Sequence, residues 1–363
     1  MFEYPFYRMR NMSKFRKACE EKKHVVFGFI GGSITDSRTR NRWSEYVVSQ
    51  FIAENPEIIV DVENAAIAAT GSDYGVFRID DDILAHPCDV IFVEYAVNDM
   101  PLETNIRNFS REGLIRKILK KSQADIVLVY TYREDMLEDM LQKRLPPTIE
   151  EFEIIAEHYG ISSVFSCCYA LNQALCGNLR WEEWLPDGLH PENAGSRYYA
   201  KPVVQLLKNA LMFDKQVTKN TKALYSDNWE NSEIFPLEQV RRSGYWRLYR
   251  CVDRPLVKRV LSTTCINSSI SLDFYGTGIV LSISFGWMSS DYRWRIDEDE
   301  WNVVRPVRPY WLDDYNWIKT QTLATGLTNT KHTLEIETIM PMHDEKSKGT
   351  TFEICMIGVL KSI

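Results

Sequence analysis

Apolar and polar positions follow two different rhythms along the chain, one before about residue 213 and one after it. In the first part, His24 to Ile30 is a short apolar run closed by Gly31 and Gly32, the pattern of a buried strand ending in a tight turn. Residues 42–54 carry apolar side chains at helical spacing, and Ile58 to Val62 reads as a strand. Asp89 to Tyr95 predicts a stronger strand, because β-branched and aromatic residues fill it. An amphipathic helix over 109–121, a strand from Ile126 to Tyr132 and a helix from Glu150 to Tyr159 come next. A last strand from Ser162 to Phe165 and a helix over 193–212 complete the series. Strands alternating with helices predict an α/β domain, a parallel sheet with helices on both faces.

After Phe213 the texture changes. Residues 214–233 are polar without a clear period and read as a linker. From Val240 onward short alternating segments recur, at Ile270 to Phe274, Ile279 to Phe285, Arg293 to Ile296, His332 to Thr338 and Thr351 to Ile357. Gly- and Asn-bearing turns separate them, the pattern of an all-β sandwich. A chain of 363 residues suits two domains, predicted here as 1–213 and 214–363. Seven of the ten tryptophans fall in the second part, which matters for the substrate below.

Composition narrows the function by exclusion. A net charge of -7 is not the footprint of a nucleic-acid binder. The densest basic group, Arg116, Lys117, Lys120 and Lys121, lies at helical spacing and reads as a solvated helix face. No run approaches the ~18 apolar residues of a membrane span, and no basic, apolar leader opens the sequence. The eight cysteines form no C-x-x-C pair and the six histidines show no ligand spacing, so no metal is expected. Reduced thiols in a cytoplasmic protein are the expectation.

Four segments carry candidate chemistry. Gly31-Gly32-Ser33-Ile34-Thr35-Asp36 puts a serine on a sharp turn after a buried strand, where a following helix can aim N–H groups at a developing anion. Asp187-Gly188-Leu189-His190-Pro191 offers a histidine base and, three residues earlier, a carboxylate to orient it. Asn98, after the strongest strand, offers an amide donor. Asn64 to Ser72 is rich in small residues that let backbone approach a ligand. Each alone is compatible with an ordinary turn or helix cap.

Together, in this order and at these strand ends, the four segments resemble the blocks of the SGNH (GDSL-like) hydrolase superfamily over roughly residues 24–210. Gly31 to Thr35 matches the nucleophile block in a G-G-S-I-T form, and Asp187 to Pro191 matches the D-x-x-H-P block. Val97-Asn98-Asp99 matches the Asn block, with Ala96 where a glycine usually stands. The resemblance implies a three-layer, flavodoxin-like domain, a Ser33, His190 and Asp187 triad, and an oxyanion hole from the Ser33 N–H, the Asn98 amide and a second-block N–H. Counting from Asn64, that last donor is Ala69, with Gly71 the alternative; a positive φ at Ala69 would mean strain. The implied reaction is double displacement through an acyl-serine, with no metal or organic cofactor.

The second part of the chain, at Phe274 to Ile279, Arg295 to Asp297, Gly326-Leu327 and His332 to Ile336, resembles the jelly-roll module attached to carbohydrate esterases. Carbohydrate esterase families 2 and 17 are the most similar. That implies acetylated oligosaccharides, such as mannan or xylan fragments, as substrate. Tyr310, Trp311, Tyr315 and Trp317 lie in a polar stretch, read as a loop between strands that leans over the Ser33 site and stacks on sugar. Trp181 and Trp184 are further candidates for lining the pocket. The readings left open are glycan O-acyl transfer, lipid or thioester hydrolysis, and a non-enzymatic glycan binder. The intact Ser33, Asn98, Asp187 and His190 set argues against the last.

Overall fold

A computed structural model of the chain describes residues 6–362 except 37, 39–41, 214, 216, 218–219, 252–255, 309–315 and 343–346. The chain divides into two compact units, Met1–Glu230 and Asn231–Ile363.

The first unit is built on strands β1 (Tyr7–Arg8), β2 (His24–Gly31), β3 (Ile59–Asn64), β4 (Val90–Glu94), β5 (Asp125–Val129) and β6 (Ser162–Val164). Its helices are α1 (Ser13–Lys17), α2 (Trp43–Glu54), α3 (Ser72–Asp82), α4 (Thr104–Lys121), α5 (Leu137–Leu141), α6 (Pro147–Tyr159), α7 (Ser166–Leu175), α8 (Trp181–Trp184) and α9 (Asn193–Met212). Strand order is β1-β6-β5-β4-β2-β3, parallel except for β1, which pairs antiparallel with β6. β4 and β5 are buried along their whole length, as central parallel strands must be. A cluster of Phe15, Phe27, Phe29, Trp43, Phe51 and Phe92 packs β2 and β4 against neighbouring helices.

The sequence pattern missed α1, α3, α5, α7 and α8, of which α3 and α7 are the longest. In α3, Ser72 to Ile79 is buried residue by residue, polar side chains included, so no amphipathic stripe exists to be read. Its Arg78 is paired internally with Asp82 at 2.7 Å. α7 begins at Ser166, directly after β6.

The basic cluster of α4 is not the solvated face expected. Arg116 and Lys117 are buried, Arg116 against Glu230 and Lys117 against Asp80 and the Val76 carbonyl. Lys120 and Lys121 reach the same two acids, Glu230 and Asp80. The covering comes from the segment expected to be a linker. The Glu112 carboxylate accepts the N–H groups of Leu224 and Tyr225, Arg116 donates to the Thr221 carbonyl, and Trp229 packs on Phe77. The division between units therefore falls after Glu230, beyond the expected boundary at 213.

In the second unit, strands β7 (Glu233–Ile234), β8 (Arg241–Ser243), β9 (Arg247–Arg250), β10 (Arg259–Thr263), β11 (Ser269–Gly276), β12 (Gly278–Phe285), β13 (Asp291–Ile296), β14 (Asn302–Val304), β15 (Trp317–Ala324), β16 (Thr330–Ile339) and β17 (Phe352–Leu360) form two antiparallel sheets. One has the order β15-β12-β17-β10-β9 with β7 also on β17, the other β14-β13-β16-β11-β8. Leu272, Phe274, Leu281, Ile283, Leu334, Ile336, Ile354 and Ile357 alternate inward to fill the space between them.

The packing of the returning segment is testable at Gly113 of α4, whose added Cβ would stand 2.6 Å from the Trp229 carbonyl carbon. Backbone cannot yield cheaply there, so Gly113→Ala should destabilise the chain by about 1–3 kcal/mol in urea unfolding. Unchanged stability would mean that residues 224–230 do not hold this position.

Candidate active site

Spatial strand order reverses between β2 and β4, since β3 lies beyond β2 and β5 beyond β4. A crevice opens at such a reversal, outside the carboxyl ends of the strands. Ser33 follows β2 and Asn98 follows β4, so both stand at that crevice.

Ser33 lies on one tight turn, in which the Thr35 and Asp36 N–H groups donate to the Gly32 carbonyl at 3.1 and 3.0 Å. The helix expected to follow directly does not: α2 begins only at Trp43. The Asn98 side chain lies against Gly32, where a Cβ would come within 2.0 Å of Oδ1. Glycine at 32 is thus required by the close approach of the Asn98 amide to the serine turn.

Ser33 Oγ stands 2.9 Å from His190 Nε2, across 157 residues of sequence. His190 Nδ1 is 2.7 Å from Asp187 Oδ2, while Asp187 Oδ1 accepts the N–H groups of Leu189 at 2.9 Å and His190 at 2.7 Å. With Nδ1–H donating to the carboxylate, Nε2 carries the lone pair that accepts the serine O–H. Burial works to raise the Asp187 carboxyl, but the His190 side chain and the two backbone N–H groups outweigh it and hold it below its ordinary range. Gly188, at φ 76, makes the turn, and its carbonyl accepts the Glu134 N–H at 2.9 Å.

Residues 64–72 form the third wall. Asn64 donates to the Thr35 carbonyl at 3.0 Å, the Ile67 N–H to the Gly31 carbonyl at 3.0 Å, and the Ala68 N–H to Asp36 at 3.0 Å. Ala69 has φ 62, the left-handed conformation that costs an L-residue roughly 1–2 kcal/mol. Gly71 is extended, with φ -102, and its missing Cβ leaves room for the Asp99 and Asp73 carboxylates. The unusual backbone of this loop therefore sits at Ala69.

The acids behind these loops were not singled out from the sequence. Asp36 pairs with Arg38; burial opposes its charge, but Arg38 and the Ala68 N–H prevail and lower its pKa. Glu94, fully buried, accepts Thr35 Oγ1 at 3.0 Å and Thr131 Oγ1 at 2.9 Å, with the Gly32 N–H also donating. Burial pushes it up to about 7 against those bonds. Asp73 is also raised to about 7, by burial and then by the charge of Asp99. Asp36 was within reach of sequence reasoning, three residues after Ser33; Arg111, described below, has no local signal.

The aromatic candidates separate. Trp184 has no exposed surface and packs against Tyr132, Trp181 and Tyr199, so it is core and does not line a pocket. Trp181 stacks on it at 5.0 Å, lies 6.0 Å from the Tyr132 ring and remains 38% exposed. Trp317 is not in a loop: it opens β15, opposite Phe285, and packs half-buried on that ring. The polar neighbours that hid this strand have partners: Thr320 bonds to Ser282 on the adjacent strand, and Gln321 accepts the Tyr292 hydroxyl from the facing sheet. Tyr310, Trp311 and Tyr315 lie outside the described residues. Among the described residues no group of His, Cys, Asp or Glu could hold a metal, and no helix is long and apolar enough to cross a membrane.

A parallel α/β sheet with a serine–histidine–aspartate array at its switch point is the arrangement of a serine hydrolase domain. Residues 29–198 match the model of the GDSL-like Lipase/Acylhydrolase family. No curated protein sequence matches the chain. Among solved structures, a two-domain esterase active on acetylated mannans, co-crystallized with mannopentaose, superposes with a TM-score of 0.84 at 19% identity, over 98% of this chain and 96% of that one. A further structure of a two-domain esterase active on acetylated mannans gives 0.84 at 20% identity, over 98% of this chain and 97% of that one. Axe2, an acetylxylan esterase from Geobacillus stearothermophilus, gives 0.43 at 20% identity, over 50% of this chain and 94% of its own. The two-domain fold, α/β followed by antiparallel sheets, is thus one already seen in an esterase.

The raised carboxyls predict a pH dependence of stability. Glu94, at about 7 when folded against an ordinary 4.5, holds its proton more tightly in the folded chain. Between those values the folded state binds more protons than the unfolded one, so stability falls as pH rises through that window, by an amount on the order of 3 kcal/mol. Glu94→Gln removes this term. Its stability relative to the parent protein in urea should therefore improve from about pH 5 to about pH 8. A difference that is flat with pH would contradict the buried, protonated carboxyl.

Proposed function

We propose that the protein is a serine carboxyl-ester hydrolase that removes O-acetyl groups from acetylated oligosaccharides, mannan or xylan fragments being the best candidates. The observation that carries the reaction is the Ser33–His190–Asp187 hydrogen-bond chain, at 2.9 and 2.7 Å. His190 takes the Ser33 proton as Oγ attacks the acetyl carbonyl. Asp187 holds the imidazole in the tautomer that accepts it and stabilises the imidazolium that forms. The anionic oxygen is received by the N–H groups of Ser33 and Ala69 and by the Asn98 amide, each donor contributing about 3 kcal/mol. His190 then returns the proton to the sugar hydroxyl, and water, activated by the same imidazole, releases acetate from the acyl-serine. Ala69 is taken as the donor over Gly71 because the glycine at 71 is already explained by the acids packed on it; the left-handed backbone at Ala69 is strain that the loop must hold.

The sugar assignment rests on coarser support: the two-domain architecture shared with an esterase active on acetylated mannans, and the partly exposed ring of Trp181, six residues before Asp187 in the chain. An aromatic face of that kind suits the apolar face of a pyranose ring and would orient the ester for attack. We assign glycan binding also to the second unit.

Acetate release from acetylated manno- and xylo-oligosaccharides tests the substrate class. The expectation is turnover well above that of a simple long-chain ester, abolished in Ser33→Ala with stability unchanged. Preference for the long-chain ester would move the reading to a lipid acylhydrolase; turnover by Ser33→Ala would remove the mechanism.

Asp187→Asn tests the orienting role. The amide keeps an oxygen for the backbone N–H groups but presents NH2 to Nδ1, favouring the wrong tautomer, so kcat should fall by roughly a hundredfold or more. A fall of less than about tenfold would leave Asp187 as a turn-capping residue only.

A further inference from the structure

Asp99 directly follows Asn98 in the chain, and its side chain is fully buried. One carboxylate oxygen accepts the Ser72 N–H at 2.8 Å, at the end of the loop that carries Ala69. The other accepts Nε of Arg111, from α4, at 2.7 Å; Arg111 is also fully buried. The rest of the guanidinium is occupied by Thr148, at the start of α6. Nη1 donates to its carbonyl at 2.9 Å and Nη2 to its hydroxyl at 2.7 Å. Thr148 Oγ1 in turn donates to the Ala96 carbonyl at 2.7 Å, two residues before Asn98. The Phe152 ring closes the remaining face, 4.6 Å from the guanidinium carbon.

This network grips both ends of the 96–99 segment and ties it to residue 72. An ion pair with no exposed surface is a poor source of stability, since well-packed apolar replacements are often as good. What a charge-paired, multiply bonded cluster supplies is fixed geometry. Ala69 needs it, because its left-handed backbone persists only while the bonds on either side hold: Ala68 N–H to Asp36 on one side, Ser72 N–H to Asp99 on the other.

We propose that Arg111 and Asp99 are positioning residues for the oxyanion hole, with Thr148 as their link to the Asn98 segment. They touch neither substrate nor reacting atoms. They set the separation and direction of the Asn98 amide and the Ala69 N–H, the two donors that come from different strand ends. The proposal rests on the oxyanion-hole assignment made above.

The test uses the full chain, 4-nitrophenyl acetate as substrate, and methylboronic acid as a probe that becomes a tetrahedral anion on the serine. Asp99→Leu with Arg111→Met replaces the pair by apolar side chains of similar volume and leaves no charge unpaired. With donors misplaced, kcat should fall about a hundredfold, KM should stay within about threefold, and boronate affinity should fall in step with kcat. Thr148→Val, which disturbs folding least, should give the same pattern on a smaller scale, several-fold in kcat and boronate affinity. Retention of kcat within twofold in both variants would overturn the proposal. So would a loss that follows only the unfolded fraction, with KM and boronate affinity of the folded protein unchanged. The site reading is tested apart by Ser33→Ala: if that variant hydrolyses the ester and binds the boronate as the parent does, the site itself is misassigned, whereas its inactivity with unimpaired Thr148→Val and double variants sinks the positioning role alone.

Discussion

Parallel strands point their carboxyl ends at one edge of the sheet, and where their order reverses the loops must part. That constraint organises the first unit. β2 and β4 diverge at their ends and deliver Ser33 and Asn98 to the same crevice, with residues 64–72 following β3 on one side and the His190 turn closing over from α8. No single stretch of chain holds the site. The serine and its histidine partner are 157 residues apart and meet because the turn between α8 and α9 brings His190 to the loop that follows β2.

Loops at such an edge leave the sheet's hydrogen-bond ladder, so their N–H groups need other acceptors. Carboxylates supply them in each wall of the crevice. Asp36 takes the Ala68 N–H, Glu94 the Gly32 N–H, Asp99 the Ser72 N–H, and Asp187 the Leu189 and His190 N–H groups. Two of these acids are charge-paired with arginines, which offsets the cost of burying them. Glu94 has only hydroxyls and an amide, and keeps its proton to near neutrality instead. The loops are thus held largely to one another by bonds to carboxylates, and the left-handed Ala69 is one strained position that this bonding sustains.

How far the sequence reveals this depends on whether the determining contacts are local. The Asp187–His190 pair is legible because three residues on one turn fix its geometry, and Ser33 because a buried strand and two glycines announce the turn. The β alternation of the second unit is legible where apolar and polar residues alternate over several positions, as in β11 and β16, and illegible at Trp317–Ala324, where Thr320 is satisfied by the adjacent strand and Gln321 by Tyr292 of the facing sheet. Trp184 deceives because a four-residue helix shows no face, while its burial comes from Tyr132 and Tyr199. Arg116 looks solvated until residues 221–230 return to cover it, more than a hundred residues later, and Lys117 until α3 meets it with the Val76 carbonyl and Asp80. Arg111 is the extreme case: every contact that gives it meaning, Asp99, Thr148 and Phe152, lies on another element.

The central claim is that Ser33 carries the acyl group between two half-reactions. Its most direct measurement is mass spectrometry of protein quenched with acid within the first turnovers on an activated acetate ester. The account predicts one added acetyl group per chain, located on the peptide containing Ser33 and lost on further incubation. Steady turnover with no acetyl group on that peptide, or an acetyl group on a different residue, would contradict it.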